Sequence, residues 1–546
     1  METWFVIVVS LCISYLLKSI FSLVFRDGTT TRKLTATATL PPGPINLPII
    51  GNIFRLRKSF SELEPILRNL HAKYGPIVTL HFGPRPAIFI RSRSLAHQAL
   101  VQNGAVFADR PPALSTIRIV SSNQHSINSA IYGSTWRLLR RNLTSEILSP
   151  MRVKSYSRAR KWVLEILVRS LQSKSKSQTE PEPEPEPGPK AVLVKDHLQY
   201  AMFCLLALMC FGDKLDEKQI KEIEAAQRRI VLGLGRFNSL NFWSRLTKIL
   251  FRKRWQQFLH LREEQERILV PLINARKTKL QSKVRDQSDN KASEEEFVVS
   301  YVDTLLELQL PDEKRKLDEG EIVSLCSEFL NAGTDTTSTA LEWILANIVK
   351  HPRIQERLLA EIKGVVGGDG DEIHVEEVKE EDLHKMVYLK AVILEGLRRH
   401  PPGHFVLPHA VTKDVVLDGH LVPKDGSVNF MVAEIGWDPN VWEDPMAFKP
   451  ERFLRDGRGG DADADCFDIT GSREIKMMPF GVGRRICPGS GLAMLHLEYF
   501  VANLVWKFEW TADNGDEVDL SEKQELTIVM KNPLKARISP RLNKSP

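Results

Sequence analysis

The chain has 546 residues, 42% of them hydrophobic and 26% charged, a composition that fits a folded protein with a large core and excludes a disordered or fibrous chain. A net charge of +7, with a pI near 8.9, is mild at this length. It suits a face for an acidic partner or an anionic membrane, and no compact basic and aromatic module argues for nucleic acid.

The amino terminus reads as a membrane segment. Residues 4–25, WFVIVVSLCISYLLKSIFSLVF, carry a single charge, Lys18, and are long enough to cross a bilayer. Glu2 in the leading region, and no small-x-small cleavage site, argue against a cleaved secretory signal. Arg26, Arg32 and Lys33 follow, so the positive-inside rule places the bulk of the chain in the cytoplasm behind a signal anchor, residues 1–25. A basic and proline-rich stretch, residues 26–52, comes next. Its segment LPPGPINLPIIGN restricts the backbone to extended and turn conformations, either as a stiff spacer or as an ordinary linker.

Residues 60–74 have a helical pattern ending at Gly75-Pro76, and residues 77–80 and 87–90 are short apolar runs typical of strands. The runs 179–189, 286–296 and 456–465 have the composition of exposed loops. Mostly helical patterns lie between them, with strand signals around residues 410–429. Length alone suggests roughly three domains, but no internal repeat or clean break divides the chain. The fold class is mainly α with a minor β part, in a single large domain over residues 53–546. Of six cysteines, Cys12, Cys204, Cys210, Cys326, Cys466 and Cys487, none forms a CxxC pair or has zinc-ligand spacing, as in a reducing compartment. Cys204, Cys210 and Cys326 read as small core residues.

The longest helical pattern spans residues 318–350, roughly 50 Å of helix, and stops before His351-Pro352. Its middle, Ala332-Gly333-Thr334-Asp335-Thr336-Thr337, is poor in helix formers. One reading is two helices, with Thr334 or Asp335 as N-cap. The other is one locally distorted helix, in which Gly333 lets a flat ligand approach. Glu395 and Arg398 stand three apart on one helical face, Arg452 in MAFKPERFL is a third partner for them, and Trp136 and Arg140 stand four apart in TWRLLRR. Finally, PFGVGRRICPG over residues 479–489 sets Cys487 among glycines and two arginines, the surroundings of a thiolate presented to an electron-poor group.

Taken in order, these motifs make the chain resemble a cytochrome P450, a haem-thiolate monooxygenase, and more narrowly a plant microsomal enzyme of the A-type. Phe480, Gly483, Arg485, Cys487 and Gly489 match the family's F-x-x-G-x-R-x-C-x-G pattern. AGTDTT matches its distal-helix motif, Glu395 and Arg398 its E-x-x-R, and PERF its partner segment. The resemblance implies the cytochrome P450 fold and haem b with Cys487 as axial thiolate to the iron. Glycine N–H groups would approach the sulfur and Phe480 would cover it. Arg485, Trp136, Arg140 and His409 would bond the propionates, while a further propionate arginine of some relatives has no clear counterpart. Asp335 and Thr336 would be the acid–alcohol pair of proton delivery, neither needing an unusual pKa if ordered water links them to solvent. Glu395, Arg398 and Arg452 would form a buried structural triad.

The implied function is insertion of one oxygen atom from O2 into an apolar, plant-metabolite-like substrate. NADPH electrons would arrive through a cytochrome P450 reductase, on the cytoplasmic face of the endoplasmic reticulum membrane behind a single-pass anchor. Basic residues near the cysteine, Arg484 among them, are either docking groups or a solvated rim. The alternatives are a haem-thiolate isomerase or dehydratase working without O2, and a non-enzymatic membrane-anchored haem binder. An intact Asp335-Thr336 pair argues against the first, and an unaltered cysteine loop against the second. Residues 113–131, 230–243 and 401–409 are the expected substrate-facing segments. In the last of them His404 either bonds a polar substrate group or packs.

Overall fold

The computed structural model describes residues 10, 14–15, 38–45, 63–82, 85–176, 190–241, 244–286, 298–367, 377–454, 467–515 and 517–541. Apart from residues 10 and 14–15, the anchor lies outside these residues, as do residues 26–37 and 46–52 of the hinge, the three expected loops apart from Asp286, Trp243, Cys12 and Cys466. The chain groups into two compact units, Met1–Pro111 with Phe405–Met431, and Pro112–His404 with Val432–Pro546.

The smaller unit is a three-stranded sheet under one helix. Ile77–Phe82 and Arg85–Ile90 form an antiparallel hairpin with Ile77 opposite Ile90, and Ser427–Phe430 adds in parallel with Ala87 opposite Ser427. Helix Leu63–Tyr74 lays Leu63 and Leu67 over Val78, Leu80 and Phe89. It ends at Gly75, whose φ of +101° most side chains would resist. The described part of the proline-rich stretch is built into this sheet: Thr79 N–H donates to Pro42 O at 2.9 Å, and a Cβ on Gly43 would sit 2.0 Å from Thr79 O. These residues are therefore structural and not a free spacer.

The larger unit is organised by helix Glu319–Lys350, capped by Asp318 and Glu321, which exchange side-chain and backbone hydrogen bonds at 2.7 and 2.8 Å. Val194–Phe211, Val387–Arg399 and Ser490–Lys507 pack around it. The helix is continuous through residues 332–337, so the two-helix reading fails. Burial of the flanking turns carries it through, and two of its hydroxyls do not compete. Thr336 donates to Ala332 O at 2.6 Å and Ser338 to Thr334 O at 2.9 Å, so these hydroxyls are satisfied within the helix. It is also not the longest helix: Arg252–Asp286 has 35 residues and tolerates Pro271 inside it. Val194–Phe211 is apolar and long enough to span a membrane, but 78% of it is buried, and it carries Cys204 and Cys210 into the core. Cys326 is buried too, as expected.

The β part of this unit is a three-stranded sheet, with Lys535–Pro540 between Val192–Leu193 and Phe508–Ala512, and a hairpin of Glu522–Gln524 with Ile528–Met530. Close helix packing has a cost for substitution. A Cβ on Gly396 would lie 2.5 Å from Ile344 Cγ1, within a fully buried contact. Gly396→Val is expected to destabilise the fold by about 1–3 kcal/mol through overpacking, read as a lower denaturant midpoint with an unchanged slope.

Candidate functional site

The cysteine loop is closed by Cys487 N–H donating to Phe480 O at 2.8 Å. The turn between them needs Gly481 and Gly483 at φ +68° and +76°, the left-handed region where a side chain is strained. Phe480 itself packs against the main core. Helix Ser490–Lys507 starts immediately after the loop, with Gly489 as N-cap, so the sulfur sits at the positive end of an 18-residue helix. Gly489 N–H donates to the sulfur, and the Arg140 guanidinium lies near it; burial nonetheless pushes the Cys487 thiol above its ordinary value. Three forces thus act on one sulfur, and desolvation is the largest. A metal partner reverses that balance, because a coordinating thiol is deprotonated outright.

The donor set fits a haem. Among the described residues no cluster of three His, Cys, Asp or Glu side chains could hold a bare ion. Trp136, on helix Ser134–Asn142, keeps a buried Nε1 with no described partner, ready to donate to an anion. Arg140, on the same helix, is depressed by burial while Cys487 opposes that shift. Arg485 lies over the Trp136 ring at 4.4 Å and donates to Ile127 O and Ala130 O at 3.1 and 2.6 Å. It pins residues 127–130 beside the loop as well as facing Trp136. Arg484 donates to the Tyr132 hydroxyl at 2.8 Å, a partner that nothing in the sequence signalled.

On the central helix, Ala332 and Thr336 form an exposed edge. The next face differs. Burial pushes the Asp335 carboxyl up, against Arg228, a hydrogen bond from Gln199 Nε2 at 3.2 Å, and Lys195. This acid has lost solvent faster than it has gained partners. Gly333 departs from expectation. The space its Cβ would fill belongs to Leu206, whose Cδ1 would be 2.7 Å away, so this glycine admits a neighbouring helix and not a flat ligand.

The structural triad assembles as the spacing suggested. Arg398 donates to both Glu395 oxygens at 2.7 and 2.8 Å with both side chains fully buried, and reaches Gly436 O and Pro445 O at 2.9 and 2.8 Å. Arg452 Nε donates to Glu395 Oε1 at 3.3 Å, and Lys449 N–H to the same oxygen at 2.8 Å. His404 is buried edge-on against Trp437, 5.2 Å between ring centres, with Nε2 3.5 Å from Glu522. It packs. His409 lies in the smaller unit, where its Nδ1–H donates to Phe107 O at 2.7 Å.

Gln199, Lys195, Arg228 and Tyr132 escaped the sequence reading because each is more than a hundred residues from its partner and belongs to no local motif. The triad generates a direct expectation. Arg398→Ala leaves the Glu395 carboxylate buried without its main partner and should cost about 3–5 kcal/mol. Arg452→Gln should cost distinctly less, because its bond to Glu395 is longer and its remaining bonds go to backbone carbonyls. Denaturant titration of the two variants measures the difference.

Comparisons with known proteins agree with this geometry. The cytochrome P450 family model matches residues 41–539. The chain is 51% identical over 545 residues to cytochrome P450 89A9 of Arabidopsis thaliana, covering 98% of both chains. It is 30% identical over 531 residues to an isoflavone 2'-hydroxylase of Medicago truncatula, covering 96% of both. A zebra fish cytochrome P450 solved with progesterone shares the fold with a TM-score of 0.65 at 22% identity, over 88% of this chain and 99% of that one. The chain belongs to the cytochrome P450 family of haem-thiolate monooxygenases.

Proposed function

We propose that this protein hydroxylates or otherwise oxygenates an apolar organic substrate of the plant-metabolite kind. Its electrons come from NADPH through a cytochrome P450 reductase, and residues 1–25 hold it on the cytoplasmic face of the endoplasmic reticulum membrane. The observation that carries the reading is the Asp335-Thr336 pair, a half-buried acid beside an exposed alcohol on one unbroken helix. An isomerase or dehydratase working without O2 has no use for such a pair. The relative named isoflavone 2'-hydroxylase lends the oxygen-inserting reading further support.

Haem, when bound, supplies O2 activation and oxygen transfer. Cys487 would ligate it, with Gly489 N–H tempering the sulfur charge. Trp136 and Arg140 would donate to its carboxylates, joined by Arg485 and, on the resemblance alone, His409. The Thr336 hydroxyl spends its proton on Ala332 O, which leaves its oxygen lone pairs to accept from a water or a polar hydrogen. The Asp335 carboxyl, raised by burial and held by Gln199, is placed to take a proton from one side of the helix and pass it to the other. Apolar side chains of the segments 113–131 and 230–241 would exclude bulk water from the substrate.

Purified enzyme with reductase, NADPH and a panel of apolar plant metabolites tests the reading. O2-dependent product containing one oxygen atom from O2 supports it, and turnover of hydroperoxides without NADPH or O2 refutes it. Thr336→Ala should keep the haem and consume NADPH while releasing hydrogen peroxide in place of product. Fully coupled turnover by that variant would remove Thr336 from proton delivery.

A further inference from the structure

Seven residues beyond Asp335, the central helix carries a second acid, Glu342, that is 1% exposed. Asp335, Ser338, Thr339 and Glu342 follow the i, i+3, i+4, i+7 spacing of one helical stripe. That stripe forms a wall of a cavity of about 40 Å³, large enough for more than one water and lined by polar groups that could hold them. The facing walls include Lys195, Gln199, Arg228 and Thr527, the last sharing a hydrogen bond with Thr339 at 2.9 Å. Within the lining Leu232 and Leu526 are 58% and 54% exposed and Glu525 is exposed too, so the cavity communicates with solvent.

Among the described residues the Glu342 carboxyl accepts one hydrogen bond, from Leu534 N–H at 3.1 Å. An amide oxygen would satisfy that N–H equally well. Keeping an ionisable group there costs desolvation, which an amide avoids. Burial pushes the Glu342 carboxyl up, with Leu534 N–H and Lys195 opposing and Asp196 and Glu525 reinforcing. The same stripe therefore holds two carboxyls raised by burial, with two hydroxyls and a water-sized space between them.

We propose that Glu342 supplies protons to Asp335 through this cavity. The inference rests on the reading of Asp335 as the distal proton donor. Glu342 acts through Asp335 and touches neither substrate nor haem. The Glu342 carboxylic acid gives its O–H proton to water in the cavity, and a proton passes from that water to the Asp335 carboxylate. Asp335 is left as the acid and Glu342 as the carboxylate. Glu342 then recovers a proton from solvent through the cavity. No electrons move, and each station breaks one O–H bond as the next forms one.

The test uses the haem-loaded full chain as wild type, Glu342→Gln, Glu342→Asp and Asp335→Asn. Infrared spectra in H2O and D2O, taken without turnover, should show in wild type an exchangeable carboxylic C=O band. It should vanish in Glu342→Gln and move in Glu342→Asp. With reductase and NADPH, Glu342→Gln should slow O2 consumption by about tenfold or more, less than the roughly hundredfold or more of a donor acting directly on the reacting group because Glu342 acts through Asp335, and enlarge its solvent isotope effect. Glu342→Asp should restore most of the rate. A residue that only caps Leu534 would leave the isotope effect unchanged in Glu342→Gln, an outcome that overturns the proposal. A wild-type band that is absent, or unmoved by Glu342→Asp, overturns it even where Glu342→Gln fails to fold. If Asp335→Asn leaves the rate and isotope effect untouched, the reading of Asp335 itself falls. If Asp335→Asn is slowed and Glu342→Gln is not, only the role of Glu342 falls.

Discussion

Everything in the larger unit depends on one unbroken helix, Glu319–Lys350, running through a stretch that would not form helix on its own. Glycine, three threonines and an aspartate at positions 333–337 oppose helix by intrinsic preference. They are overruled by burial on either side, where Val323, Leu325 and Leu330 before them and Ile344, Leu345 and Ala346 after them are fully enclosed. Each buried aliphatic side chain contributes about 1.5–3 kcal/mol, so a few of them outweigh the local propensity cost. The hydroxyls of Thr336 and Ser338, which could otherwise compete with the backbone ladder, are absorbed by bonding back to it. The result is a rigid rod carrying two distinct faces: an exposed edge at Ala332 and Thr336, and a polar stripe that begins at Asp335.

The cysteine loop meets a different constraint. A sulfur buried at a helix start is held above its ordinary thiol range by desolvation, and one N–H and one guanidinium do not overcome that. The protein alone therefore favours the thiol, and a bound iron would complete the thiolate. This division explains why the loop is surrounded by fixed structure. Arg485, within the loop, ties residues 127 and 130 beside Trp136, and the Cys487 N–H is fixed on Phe480 O. A ligand whose charge state depends on its partner cannot also be allowed to move.

Much of this was legible in the sequence where chemistry is carried by short, spaced motifs. The cysteine loop, the Glu395–Arg398 pair and the start and stop of the central helix all rest on residues a few positions apart, whose geometry a turn or a helix fixes. The misreadings share a cause. Gly333 looked like an opening for a ligand, but a glycine signals only close approach, and the approaching body proved to be Leu206. The proline-rich segment looked like a spacer because nothing local shows that Pro42 pairs with Thr79. The raised carboxyl of Asp335 was hidden for the same reason: its partners Gln199 and Arg228 come from other helices, and burial has no sequence motif.

The central claim is that Cys487, in this cradle, is the thiolate that holds a haem iron. The reduced carbon monoxide difference spectrum of the purified chain tests it most directly. The account predicts the strongly red-shifted Soret band of a thiolate-ligated ferrous haem, lost in Cys487→Ala. A histidine-like band in the wild type, or the red-shifted band persisting in Cys487→Ala, would contradict it.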